Sequence, residues 1–233
     1  MQRIPISEIF YSIQGEGPHM GRPSAFIRFA GCNLRCSFCD TKYAWKANTF
    51  IPEKTILDYL FDSLRNLNTF YRQTLRNVVF TGGEPMLYQK VIKKFLFDKR
   101  SRYLNVEIET NGTIEPNFDP PRPIDFIISP KLFDYGIETH YEIMYRHGFK
   151  GFFRKNTNVY FKFLIYPDVE RNKATLKFIR DFNLKNVYVM PLGATPEELK
   201  KTADIAVEIA KKEGFNFSGR LQIWIWPEIG KGI

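Results

Sequence analysis

The chain has 233 residues, 44% of them hydrophobic and 25% charged, the composition of an ordinary globular protein long enough to bury a sizeable core. No apolar run reaches the roughly 18 residues of a membrane span, and the start, MQRIPISEIFYS, lacks the apolar centre of a signal peptide, so a cytoplasmic protein without a membrane partner is expected. The net charge of +9 fits a lysine-rich solvated surface or attraction to an anion. Basic residues are scattered and no nucleic-acid-binding motif is present, so no nucleic-acid partner is expected, while a basic cleft for an anionic small molecule also fits.

In chain order, the first buried strand is expected at 24–30 (SAFIRFA). A helix is expected over 52–67, where Ile56, Leu60 and Leu64 recur every four residues. The β-rich run 77–81 stops at a Gly-Gly pair, and 86–97 reads as a second helix. Further strands are expected at 105–110, 124–129, 159–165, 186–190 and 221–226. The stretch 115–123 holds four prolines and reads as loop. Residues 133–158, rich in aromatic and basic side chains, read as an insertion or a crossover helix. The clearest helix is 196–213, with Thr195 as cap, Pro196 in the first position, Glu198 completing a capping box and Gly214 as the stop. Strands separated by helices imply an α/β fold with a parallel sheet. Runs such as FIIS and VYVM suggest a sheet covered on both faces. One domain over 1–233 is expected.

The three cysteines, Cys32, Cys36 and Cys39, all lie in GCNLRCSFCDT (31–41). An odd number so close together makes a poor disulfide framework and suits a metal. Three thiolates on a [4Fe–4S] cube leave one iron open to a ligand. The alternative is a zinc site completed by histidine, but His19, His140 and His147 all lie outside zinc-like spacing. Polar or Gly-rich signals also follow predicted strands: the cysteine loop, TGGEP (81–85), ETNGT (109–113), SPK (129–131) and MPLG (190–193). In parallel α/β proteins ligands bind at the carboxyl ends of strands. Any one of these signals could be turn chemistry; five on one edge describe one site.

Cys-x3-Cys-x-Phe-Cys with TGGEP resembles the radical S-adenosylmethionine (SAM) enzymes. Adding EIFYSIQGEG (8–17), Arg28, CDT (39–41), ETNGT, SPK and LQIWIW (221–226), the chain resembles the 7-carboxy-7-deazaguanine synthases over nearly its whole length. That resemblance implies a partial TIM-type (β/α) radical SAM barrel, reduced in helices, and a homodimer. It implies cleavage of SAM to a 5′-deoxyadenosyl radical, hydrogen abstraction from C6 of 6-carboxy-5,6,7,8-tetrahydropterin, ring contraction, loss of ammonia and formation of 7-carboxy-7-deazaguanine. The pathway implied is that to queuosine and archaeosine, with a reductase such as flavodoxin or ferredoxin as electron donor.

Residue by residue, the resemblance makes Cys32, Cys36 and Cys39 the cluster ligands and Thr41 a Mg²⁺ ligand. Phe38, Cys39, Asp40, Gly83, Ser129, Pro130, Lys131, Met190, Pro191, Leu192 and Gly193 become SAM contacts. Ile13, Gln14, Gly15, Arg28 and Thr81 become pterin contacts, with Arg28 on the carboxylate and Gln14 offering its amide to the ring. Two departures stand out: the family often has glutamine at Met190, and WPEIGKGI at the carboxyl end matches only loosely. The rival enzyme reading is a glycyl-radical activating enzyme, which shares the cysteine spacing; QGEG and CDT favour the pterin. An electron-transfer iron–sulfur protein would need a fourth cysteine.

Overall fold

A computed structural model describes residues 2–133 and 149–227. Among these residues nine strands form one sheet: β1 (Arg3–Ile13), β2 (Pro23–Phe29), β3 (Thr49–Pro52), β4 (Asn77–Gly82), β5 (Asn105–Thr110), β6 (Ile124–Ile128), β7 (Thr157–Ile165), β8 (Val187–Pro191) and β9 (Asn216–Phe217). Their order is β3-β1-β2-β4-β5-β6-β7-β8-β9. From β2 to β9 every pair is parallel, as the alternation of strands and helices implied; β1 runs antiparallel to both β2 and β3. Among the described residues the helices are α1 (Ile56–Tyr71), α2 (Gln89–Phe97), α3 (Val169–Asp181), α4 (Pro196–Glu213) and α5 (Leu221–Ile225). The β5–β6 crossover, 111–123, carries no helix; its prolines remove the donors a helix needs.

The sheet is curled. β1 and β9 stand seven places apart in the order, which a flat sheet would spread over about 34 Å at roughly 4.8 Å per strand. Yet the Leu221 N–H donates to the Gly15 carbonyl at 3.0 Å. Gly15 is two residues past β1 and Leu221 four past β9, a combined reach of about 21 Å at roughly 3.5 Å per residue. Only a sheet rolled into a partial barrel closes that gap.

Strand side chains alternate between two faces. One set packs outward: Ile27 and Phe29, Val78 and Phe80, Phe126 and Ile128, Phe161 and Phe163. These form one core with Leu60 and Leu64 of α1, Ile92 and Phe95 of α2, Phe178 of α3 and Ala206 of α4. The other set faces inward and is largely polar: Arg28, Thr81, Glu107, Glu109, Asp125 and Lys162. The expectation of a sheet covered on both faces is therefore corrected. Among the described residues helices α1 to α4 pack on the outer face while Gln222 and Ile223 of α5 line the cavity, and the apolar runs that suggested otherwise place Ile127 and Met190 against the cavity.

Several boundaries shift. Pro52 closes β3, a 3₁₀ turn (Glu53–Thr55) follows, and α1 then runs on to Arg72, whose φ of 51° ends it. The expected helix from 86 begins as a 3₁₀ turn, Pro85–Tyr88. Helix α4 matches its prediction: Thr195 Oγ1 accepts from the Glu198 N–H at 3.2 Å and Gly214 adopts φ 71°. The Glu198 carboxylate takes the Ala194 N–H at 2.7 Å, one residue before the cap. The strand expected at 221–226 is a correction: Leu221–Ile225 is one helical turn. β9 already occupies the sheet edge, and the Ile223 N–H donates back to the Arg220 carbonyl at 3.0 Å. Of the segment 133–158, residues 134–148 with His140 and His147 lie outside the described residues; the remainder holds a 3₁₀ turn, Lys150–Phe152, and the start of β7.

Candidate active site

The cysteine loop follows β2 and is braced from two sides. Gly31 takes φ 89° and gives its N–H to Ala44 at 2.8 Å. The Glu84 N–H donates to the Gly31 carbonyl at 2.9 Å and the Gly83 N–H to Phe29 at 3.2 Å. The turn after β4 is thus stitched backbone-to-backbone onto the cysteine loop. A Cβ on Gly83 would lie 2.1 Å from the Gly31 oxygen, so glycine here permits the two turns to touch. Glu84, fully buried, accepts from the Met86 N–H at 2.9 Å, the Thr110 hydroxyl at 2.7 Å and the Asn111 N–H at 2.8 Å. Burial raises its carboxyl above the ordinary range despite these donors. Asn111 reaches Asn33 of the cysteine loop at 3.0 Å. Three of the five sequence signals are therefore one hydrogen-bonded unit.

The loop surrounds a cavity of about 440 Å³ inside the curled sheet. Cys32, Cys36, Phe38, Cys39, Asp40, Thr41, Thr81, Gly83, Ser129, Lys131, Met190 and Leu192 line it, as do Ile13, Gln14, Gly15 and Arg28. Of the residues expected at the site, Pro130, Pro191 and Gly193 do not line it; the Gly193 carbonyl accepts from Arg220 Nη1 instead. The Thr41 hydroxyl makes no helix cap and donates to Asp40 at 2.6 Å. Lys131 donates to Ser129 Oγ at 2.7 Å, and burial, reinforced by neighbouring Lys162, lowers its ammonium below the usual lysine range. Phe38 meets Tyr166 edge to face at 6.1 Å.

Two expected pterin contacts are already engaged with the chain. Arg28 donates through Nε to Glu8 at 2.7 Å, with Tyr43 hydroxyl on the same carboxylate oxygen at 2.8 Å. Gln14, 2% exposed, gives its amide nitrogen to Glu107 and, at 3.4 Å, to Glu109, while its amide oxygen takes the Glu16 N–H at 3.2 Å. Its side chain props the loop after β1, so the carboxylate at Glu109 is the polar group it leaves facing the cavity. Burial, with Glu109 close by, pushes the Glu107 carboxyl up to about 8. His19 is held by Asp125 at 2.7 Å and lies 3.9 Å from Glu107.

Sequence reasoning missed the ionic network that crosses the cavity. Glu16 pairs with Lys162 at 2.6 Å and with Arg220 at 2.8 Å. Lys162 lies 3.5 Å from Glu109, which also accepts from the Thr81 hydroxyl at 3.0 Å. Arg220 continues to Asp40. Burial alone would raise Glu16, but the two cations more than offset it and hold it well below the carboxylate range. Burial likewise opposes the charge on Lys162, and Glu16 and Glu109 outweigh it, leaving the ammonium above its ordinary value. The one signal available was a lysine inside the apolar strand VYFKFLI; Arg220 had none.

The thiols suit a cluster rather than a lone ion. Cys36 is buried and Cys32 and Cys39 half-buried, and all three open on the cavity. Among the described residues no set of three His, Cys, Asp or Glu side chains converges to hold a single metal ion. A four-iron cube takes thiolates at separate corners, so dispersed thiols around a cavity fit it. Burial pushes the Cys32 thiol up, so iron bound there would have to displace a proton.

The radical SAM superfamily model matches residues 26–206. The chain is 32% identical over 229 residues to the 7-carboxy-7-deazaguanine synthase of Pyrobaculum aerophilum, covering 96% of this chain and 95% of that one. It is 33% identical to that of Clostridium acetobutylicum, with 97% and 82% covered. The crystal structure of QueE from Escherichia coli superposes with a TM-score of 0.63 over 93% of both chains at 23% identity, a likeness of fold.

Proposed function

We infer what this chain does from what it is: it belongs to the radical SAM superfamily and, within it, to the 7-carboxy-7-deazaguanine synthases. The reaction is conversion of 6-carboxy-5,6,7,8-tetrahydropterin to 7-carboxy-7-deazaguanine with release of ammonia, a step of 7-deazapurine biosynthesis. The observation that carries this reading is the opening of the three thiols and of Arg28, Thr81 and Glu109 onto one cavity.

Cys32, Cys36 and Cys39 would hold the [4Fe–4S] cluster, with SAM on the iron that lacks a thiolate. Together they supply hydrogen-atom abstraction from the substrate; the chain binds, orients and excludes water. Arg28 is fixed in plane by Glu8, and its Nη edge would meet the substrate carboxylate through two parallel bonds. Glu109, held by Thr81 and Lys162, would accept ring N–H groups. Thr41, whose hydroxyl caps nothing, would lend Mg²⁺ one oxygen while waters and substrate fill the remaining positions. A single domain over 1–233, supported by one continuous core, belongs to the same reading. So do a homodimer, a flavodoxin or ferredoxin as reductant, and a cytoplasmic location.

The test is anaerobic incubation of the reconstituted protein with SAM, a reductant and the carboxytetrahydropterin, followed by mass spectrometry. The deazaguanine is the expected product. An untouched pterin, with a glycyl radical appearing on a partner protein instead, would make the chain an activating enzyme.

A further inference from the structure

Arg220 has no part in the roles assigned above, yet its placement is demanding. It lies between β9 and α5 with its side chain 7% exposed. A guanidinium is charged at every accessible pH, so one this buried needs acceptors for its donors. It has them on three separate loops. Nε donates to Glu16 Oε1 at 2.8 Å, Nη2 to Asp40 Oδ2, and Nη1 to the Gly193 carbonyl. Glu16 belongs to the loop that Gln14 props beside Glu107 and Glu109. Asp40 directly follows Cys39, and its other oxygen takes the Thr41 hydroxyl.

Among the described residues no backbone hydrogen bond joins 14–17 to 38–42. The guanidinium supplies the link between them. Its planar fork fixes the direction of each bond, so the acceptors are held at set separations. A lysine ammonium on a flexible stem satisfies one or two of them without fixing their relation.

We infer that Arg220 is a positioning residue that locks the loop after β1 and the segment after the third cysteine into one relative placement, so that the pterin and SAM meet in register. The inference rests on the function proposed above. Registry matters because a misplacement of about 1 Å between reacting atoms costs on the order of 100-fold in rate. A pterin held slightly out of line leaves SAM cleavage intact while the substrate hydrogen goes untransferred. The excess then leaves as 5′-deoxyadenosine, its hydrogen drawn from protein or solvent.

The experiment compares wild type with Arg220→Lys and Arg220→Met as reconstituted holoenzymes. It measures iron per chain, the separate affinities for SAM and pterin by anaerobic equilibrium dialysis, and 5′-deoxyadenosine released per deazaguanine formed. In the lysine variant, iron content and both affinities should stay within about threefold of wild type while the release ratio rises about tenfold or more. The methionine variant should raise the ratio at least as far; if it cannot hold iron, the lysine variant decides. A merely structural role would lower iron, affinities and rate together and leave the ratio unmoved, and that result in the lysine variant overturns the inference. So does a wild-type ratio in both variants. A wild type that forms no deazaguanine at all fells the functional reading first, and the inference with it.

Discussion

At the residue scale, the buried pair Glu107 and Glu109 on β5 shows how far position overrides type. Both are glutamates two apart on one face, yet Glu109 opens on the cavity while Glu107 lies buried against Gln14, with its carboxyl pushed up to about 8 from an ordinary 4.5. A raised carboxyl stabilises the fold while protonated. That contribution is complete below the unfolded value near 4.5 and is lost as pH climbs through about 8. The Glu107→Gln variant keeps the shape and loses the titration. Urea unfolding under anaerobic conditions should show it gaining on wild type by about 1 kcal/mol or more between about pH 5 and about pH 9, since one pKa unit is worth about 1.4 kcal/mol. Equal relative stability at the two pH values would mean that Glu107 titrates as an ordinary carboxyl. The candidate cluster ligands stood out in the sequence because three cysteines in one short loop suit little besides a metal centre. Lys162 and Arg220 could not be, because a single cation carries no periodicity. Their partners, Glu16 and Asp40, lie 146 and 180 residues away along the chain. For Gln14 the sequence shows that an amide is present, and only the fold shows that its donors and acceptor are already taken.

At the element scale, the turn after β4 is the brace of the cysteine loop. Gly82 holds φ 146°, where a Cβ would lie 2.2 Å from the Phe29 oxygen, and Gly83 sits against Gly31 and Cys32. A methyl group at Gly83 has nowhere to go, because the atom it meets at 2.1 Å is backbone. The Gly83→Ala variant should therefore move the cysteine loop, lose roughly 1–3 kcal/mol of stability as overpacked sites do, and bind less than about half the wild-type iron after reconstitution, because thiolate placement governs cluster binding. Iron analysis with thermal melting checks it; wild-type values for both would free the glycine of this duty. Elements with a strong local signal were legible: α4 carries cap, proline and glycine stop, and β2 and β4 to β8 carry dense apolar runs, whereas the short, exposed β3 carried none. Helix α5 was not, because alternating LQIWIW satisfies a strand pattern while the sheet edge beside it is already filled. β1 escaped too, its half-buried residues giving no clean alternation over eleven positions.

At the scale of the whole molecule, the curled sheet makes one cavity the meeting point of elements from both ends of the chain. Residues 13–16 share its wall with Arg220, Gln222, Ile223, Trp226 and Pro227. Ligands that bridge these parts bind the folded state alone, so each should raise the melting temperature. At a hundredfold excess over Kd the gain is about 2.7 kcal/mol, or roughly 5–11 °C at roughly 2–4 °C per kcal/mol for a chain of this size. Anaerobic calorimetry with SAM, with pterin and with both checks this; a melting temperature indifferent to all three would place their binding elsewhere. The parallel α/β class was inferable from the order of strands and helices and the barrel only from the family resemblance; no local pattern shows the curl, because the contact between Gly15 and Leu221 that demands it joins distant parts of the chain.

The two faces of the strands have a consequence for how such a protein can be altered. Stability is written on one parity of residues, such as Ile27, Phe29, Phe161 and Phe163, and chemistry on the other, such as Arg28, Thr81 and Lys162. Neighbours in sequence thus answer to different selective pressures. Inward residues can be exchanged to retune what the cavity accepts while the outward code that folds the sheet is left as it stands. A deletion of one residue within a strand would exchange the two codes at once, driving lysine into the core and phenylalanine into the cavity.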